Sequence, residues 1–129
     1  MDILLRFTIE NFRSIAEQKS IVFTPDSQVD GLAENVAVKG EHRYFRTAAI
    51  YGANSSGKSN VVRGLTMVKH LVNSSVKMNN GEALPYDPFV LNAEKALSPT
   101  LYELDFLTGD HHYRYGFSHT AQEICEEWL

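Results

Sequence analysis

The chain opens with alternating apolar and polar side chains. In "ILLRFTIENF" (residues 3–12), Leu5, Phe7 and Ile9 fall on one side and Arg6, Thr8 and Glu10 on the other, the period-2 pattern of a half-buried strand. "SIVFT" (20–24) predicts a second strand, and the short connection "RSIAEQK" suits a hairpin or meander. Residues 25–44 are rich in Pro, Asp, Gly, Asn and Lys without a sustained period, so they read as a loop excursion. "RTAAIY" (46–51) is short and largely apolar, the composition of a strand buried on both faces of a parallel sheet.

The period then changes. Val61, Leu65, Val68 and Val72 recur at helical spacing, with Val62 and Leu71 widening the stripe, so a helix is expected over 58–73. Gly64 inside it costs about 1 kcal/mol relative to Ala, a cost that close packing against a sheet would explain. "KMNNGEALPYDP" (77–88) has the composition of a second loop excursion. "TLYELDFL" (100–107), a Gly109-Asp110 turn and "HHYRYGFSH" (111–119) predict antiparallel β structure. Tyr102, Tyr113, Tyr115 and Phe117 would pack on its faces. The closing "EICEEWL" carries no ending signal.

A chain of 129 residues fits one modest domain. No run approaches the roughly 20 apolar residues of a membrane span, and the acidic second residue excludes a signal peptide. The lone Cys125 rules out an internal disulfide and suits a reducing compartment, so a cytoplasmic protein with no membrane partner is expected. The net charge of −4 is unevenly spread, with nine Lys/Arg against seven Asp/Glu in 1–70 and three against nine in 71–129. That balance excludes a dedicated nucleic-acid binder. Any basic surface would come from Arg6, Arg13, Lys39, Arg43, Arg46 and Arg63, which read equally well as solvated charge.

Between the predicted strand and helix lies "GANSSGKS" (52–59), which fits G-x-x-x-x-G-K-[ST], the P-loop. Gly52 lets the backbone leave the strand in a tight turn, and Gly57 lets it pass close to a phosphate. The amides of Asn54, Ser55 and Ser56 would form an anion-binding nest, with the positive end of the following helix aimed at the same place. Lys58 would reach β- and γ-phosphates, and the Ser59 hydroxyl would ligate Mg²⁺. The pattern predicts ATP and Mg²⁺ as ligands.

With those residues in hand, the sequence resembles the ABC-type ATPase heads of the SMC, RecF and OLD group. It is most similar to the AAA/ABC-like ATPases of bacterial abortive-infection and phage-defence systems. "LLRFTIENFRSI", "AAIYGANSSGKSN" (with Asn54 in the loop and Asn60 after the serine) and "YELDFLTGDHHYRYGFS" carry the resemblance. It implies an α/β fold, the N-terminal lobe of a P-loop NTPase (ABC-ATPase-like), with a mixed sheet, an antiparallel portion and one main helix after the P-loop. It also implies that Arg13, Ser14 and Asn60 lie at the nucleotide, and that two heads pair around ATP in a homodimer. DNA or an effector protein stays open as a further partner.

The departures bound that reading. The group uses an apolar strand ending in Asp-Glu, a signature serine loop and a switch histidine, and none is visible here; "ICEE" (124–127) is a poor imitation. Residues 1–129 are therefore expected to be a partial domain, the first lobe of a longer ATPase, with no catalytic residue of their own. Gln122 is the only glutamine after the helix and has no glutamine-loop motif around it. A non-catalytic nucleotide-dependent interaction module, and another P-loop enzyme such as a GTPase or kinase, remain as alternatives, although no N-K-x-D motif occurs. His111 and His112 would point to opposite faces of a strand and could not easily share an ion. Glu126 and Glu127 read as solvated charge.

Overall fold

The computed structural model describes residues 2–26, 33–75 and 81–129; the remainder of the two predicted excursions, 27–32 and 76–80, lies outside the described residues. Strands β1 (Ile3–Glu10), β2 (Lys19–Val22), β5 (Thr100–Thr108), β6 (His111–His119) and β7 (Ile124–Trp128) form one sheet in the order β2-β1-β5-β6-β7. Each neighbouring pair is antiparallel. β3 (Val36–Lys39) and β4 (His42–Phe45) make a separate hairpin, and one helix, α1 (Lys58–Ser74), follows the Gly/Ser loop.

Two expectations are corrected, and one strand is added. Residues 36–45 are a hairpin rather than loop, closed by Gly40 at φ +60°; its four-residue strands are too short to show a period. "ICEEW", left unassigned by the sequence, forms the edge strand β7, whose polar composition hid it. "RTAAIY" is neither strand nor buried. Residues 46–51 carry no regular secondary structure and are exposed, with Tyr51 at 90%, and no strand pairs with them among the described residues. The parallel part of the expected mixed sheet is therefore absent there.

The core lies between α1 and one sheet face. Phe7, Ile9, Phe12, Tyr102 and Phe117 from the sheet side meet Val68 and Leu71 of the helix. The helix presents Gly64, Val68 and Leu71 inward, while Val72, expected in the stripe, and Val62, expected to widen it, are exposed at 45% and 59%. Gly64 brings the helix against β1, since a Cβ there would fall 2.5 Å from Ile9 Cδ1 and 3.4 Å from the Phe7 ring. β1 is not a simple alternation: its register shifts between Leu4 and Arg6. This bulge sends Leu5 to a second cluster with Ile3 and Leu107, against Tyr44 of the hairpin, while Phe7 and Ile9 stay beneath α1.

The register sets Arg6, Asp105 and Arg114 side by side, on the face away from α1. Asp105 is nearly buried and takes Arg6 Nη2 at 2.5 Å and Arg114 Nε at 2.9 Å. Glu103 accepts from Trp128 Nε1 at 3.0 Å, and the indole of Trp128 lies over Gly116. Arg6, a candidate for a basic binding surface, is thus occupied within the fold. His111 and His112 flank the Gly109-Asp110 turn as expected, with His112 Nε2 at 3.7 Å from Asp105.

Two predictions follow from this packing. Gly64→Ala should gain none of the roughly 1 kcal/mol that an exposed helix would gain, and Gly64→Leu should destabilise by about 2–3 kcal/mol through overpacking. A urea midpoint raised by the alanine would show that helix and strand are not so close. His119 is fully buried among Tyr86, Tyr102 and Phe117. Burial lowers its pKa, opposed in part by its hydrogen bond to the Thr120 carbonyl. The folded chain thus refuses a proton that the unfolded chain accepts below about pH 6.5. Stability should fall as pH drops from that point, by at most about 1.4 kcal/mol per pH unit, until the lowered folded pKa is reached. His119→Phe should flatten that part of the curve, and an unchanged slope would assign the acid loss to other groups.

Candidate functional site

The sequence leading into the site is held at its start. Asn35 caps the exit from the hairpin: its Nδ2 donates to the Thr47 carbonyl at 2.7 Å and its Oδ1 accepts from Thr47 N–H at 3.0 Å. From Thr47 the chain runs exposed to Gly52. A Cβ at Gly52 would fall 2.7 Å from Ser56 Oγ, so a side chain there would make the serine hydroxyl turn away as the loop closes back on itself. Ser55 takes φ +66° and Gly57 φ +92°, and α1 starts at Lys58. Successive left-handed and right-handed residues turn consecutive amides to one side, which is how such loops form anion nests.

Lys58 folds over this loop. Its Nζ donates to the carbonyls of Gly52 and Ala53, each at 2.6 Å, with Ser56 Oγ at 3.4 Å. No carboxylate pairs with it among the described residues. Nor does any group there accept from the main-chain N–H of Asn54, Ser55, Gly57, Lys58 or Ser59. A free cation, unused amides and a helix N-terminus converge, the donor set that a phosphate chain needs. Ser59, on the first helical turn, is exposed and presents the hydroxyl expected at a Mg²⁺. The residues present therefore fit a magnesium-bound polyphosphate.

The loop borders a cleft of 610 Å³ whose opposite wall is Ser14, Ile15, Ala16, Glu17 and Lys19. Ile50 and Tyr51 stand on the loop side of it. A second cleft of 580 Å³, between the start of β1 and the hairpin, is lined mainly by Ile3, Leu4, Phe23, Tyr44 and Phe45. It offers little to a phosphate.

Ser14 reaches the loop. Its Oγ accepts from Asn60 Nδ2 at 2.6 Å and lies 2.9 Å from where a Gly57 Cβ would sit. Arg13 does not reach it. It takes φ +52°, donates its N–H to the Asp87 carbonyl at 2.8 Å, and directs Nε toward the Asp87 carboxylate at 3.5 Å. Arg13 thereby lines a different cleft, beside Arg63 and His70 on the flank of α1. Gln122 lies in the exposed turn between β6 and β7, its N–H on Thr120 Oγ1. Glu127 accepts from Tyr115 Oη at 2.8 Å; burial first, then this bond, pushes the Tyr115 pKa up to about 12. Cys125 is exposed.

Two contributions escaped the sequence. The wall from Ile15 to Lys19 looked like a connection between strands, and nothing in its composition marks it as facing a loop 35 residues downstream. Asn11, fully buried at φ +53°, fixes the turn that carries Ser14. An asparagine ending an alternating strand was the available signal, since asparagine tolerates that backbone better than most residues.

Comparison with protein families matches residues 48–129 to the family described as "AAA domain, putative AbiEii toxin, Type IV TA system". No curated protein and no solved structure matches the chain. The matched segment starts at the approach to the P-loop and takes in the loop, α1 and strands β5 to β7. With more than half of its length matched and a phosphate-binding geometry at the head of the match, the chain belongs to this AAA domain family, whose function is of the nucleotide-binding, ATPase type.

Proposed function

We propose that residues 1–129 form the N-terminal lobe of an ABC-type ATPase head of the SMC/RecF/OLD group, acting in phage defence or DNA maintenance. It binds ATP with Mg²⁺ in the cleft beside the P-loop and works by nucleotide-driven pairing of two heads. The observation that carries this reading is Lys58, an unpaired ammonium resting on two loop carbonyls at the N-terminus of a helix with unused amides. In that reading Lys58 leaves the carbonyls for the phosphate oxygens, the N–H groups of Asn54, Ser55, Gly57, Lys58 and Ser59 donate to those oxygens, and the Ser59 hydroxyl would ligate the metal. Bound Mg²⁺ supplies neutralisation of the phosphate charge. The unpaired segment 46–51, with Ile50 and Tyr51 exposed, supports its pairing with strands beyond the described ones, as a first lobe requires.

Lys58→Ala should weaken Mg²⁺-ATP binding at least tenfold, about 1.4 kcal/mol, through loss of a charge-assisted contact with the phosphates. Equal affinity of the two chains by calorimetric titration would remove the assignment. Turnover tests the remainder. Glu127 borders a small cavity with Leu71, Val72 and Ser75 at the far end of α1. At about 1.5 Å per residue, that is roughly 20 Å along the helix from Lys58. Glu17, in the P-loop cleft, has its carboxylate 3.8 Å from Lys95. With no carboxylate placed to orient water among the described residues, and positioning being most of phosphoryl-transfer catalysis, residues 1–129 should hydrolyse ATP at close to the uncatalysed rate even when saturated. Turnover near 1 per second, the low end for working phosphoryl-transfer enzymes, that vanished in Lys58→Ala would show that a catalytic carboxylate is already present.

A further inference from the structure

The P-loop has few ties to the rest of the fold. Residues 46–56 are exposed, and Lys58 is engaged with the loop's own carbonyls. What meets the loop from outside is Ser14, at Gly57, where no side chain stands in the way. Gly57 turns at φ +92°, and a Cβ there would lie 2.9 Å from Ser14 Oγ. Ser14 therefore sits against the bare Cα. Asn60 Nδ2 donates to the same Ser14 oxygen at 2.6 Å, while Asn60 N–H donates to the Gly57 carbonyl at 3.0 Å. Arg63 Nη1 donates to Asn60 Oδ1 at 3.3 Å, which fixes the oxygen end of the amide toward the arginine and the nitrogen end toward the serine. Ser14 is itself held by reciprocal main-chain hydrogen bonds between Phe12 and Ile15, each 2.8 Å.

We propose that Ser14 and Asn60 act together as a strut, positioning residues that hold the Gly57–Lys58 turn at a fixed place relative to the sheet. Ser14 lines the cleft, but its Oγ is engaged by Asn60 Nδ2, so the pair sets the shape of the cradle rather than serving as phosphate ligands. The inference rests on the nucleotide-binding reading above. Loss of either partner loosens the same contact, so the effects of the two losses do not multiply. Because the loosened part is the cradle, every ligand with a phosphate chain is affected alike.

Calorimetric titration of this chain with Mg²⁺-ATP and Mg²⁺-ADP reads both features. Ser14→Ala and Asn60→Ala should each weaken both nucleotides by a similar factor, about fivefold for one neutral hydrogen bond. The double variant should lose little more than either single one, and Ser14→Thr should keep most of the affinity. Losses that multiply to about 25-fold, that fall on one nucleotide only, or that are absent would overturn the strut. Hydrogen exchange without nucleotide gives an independent readout. Both alanine variants should raise exchange at the amides of residues 53–58 while leaving the melting temperature unchanged, and unchanged exchange would overturn the proposal. If the parent chain binds neither nucleotide, the nucleotide-binding reading fails while the exchange result still decides the strut.

Discussion

The arrangement around the site depends on one buried amide. Asn11 ends β1 in a left-handed conformation, and its Nδ2 donates to the carbonyls of Lys95 and Ser98, each at 2.7 Å, while its Oδ1 accepts from Phe89 N–H at 3.0 Å. Its own carbonyl accepts from the buried Thr100 Oγ1 at 2.7 Å. A carboxylate in its place would set oxygen against oxygen, and a shorter side chain would release the carbonyls of Lys95 and Ser98, leaving them only Ser98 N–H and Tyr86 Oη as donors. These bonds tie the end of β1 to the segment entering β5. They also turn the chain so that Phe12 enters the core while Ser14 emerges on the P-loop side. The phosphate-binding geometry is thus referred to the sheet through a residue that touches neither the loop nor any ligand.

The two faces of the sheet divide the physical tasks. Beneath α1 the contacts are apolar and aromatic, with Tyr102 packed among Phe7, Phe12 and Phe117, and Gly64 sets how near the helix lies. On the opposite face, the nearly buried Asp105 gathers two arginines and Glu103 holds the Trp128 indole. Removing Asp105 would leave Arg6 and Arg114 as neighbouring like charges without the carboxylate between them. The register of the central strands is therefore enforced from both sides, and α1 starts from a rigid platform. The loop before it is outside this platform. Exposed and short of fixed contacts, it belongs to the low-stability part of the molecule, as ligand-binding loops generally do.

What the sequence disclosed followed the strength of the local signal. The strand ending at Glu10, the helix from Lys58 and the hairpin around Gly109-Asp110 were legible because period and turn chemistry agreed in each. The P-loop was legible because its glycines, lysine and serine have fixed offsets. Two apolar-looking features misled for opposite reasons. "RTAAIY" has strand composition but no neighbour among the described residues, and composition cannot supply a partner. Leu5 alternates correctly with Phe7 and Ile9, yet a bulge between Leu4 and Arg6 sends it to the other face, a change of register that no single-strand pattern encodes. β7 was hidden because an exposed edge strand needs little apolar content. Arg13 and Ser14 illustrate the limit at the site: adjacent in sequence, they are sent to different clefts by a turn whose shape is set by Asn11.

The self-contained state of the loop bears on how binding energy arises. Lys58 spends its charge on two carbonyl dipoles at 2.6 Å, and the amides of Asn54, Ser55, Gly57, Lys58 and Ser59 have no protein partner among the described residues. On the proposed reading a polyphosphate would draw the ammonium off those carbonyls, so its affinity would report a difference between two sets of hydrogen bonds. That difference favours the ligand because an ion pair with a phosphate oxygen is stronger than a bond to a neutral carbonyl. The amides gain a charged acceptor at the same moment, and the helix terminus adds its dipole in the same direction. The contribution of Lys58 is therefore not that of an isolated cation. It is the change from internal plug to ligand clamp, and its size depends on the loop keeping the carbonyls, the amides and the helix end within reach of one another.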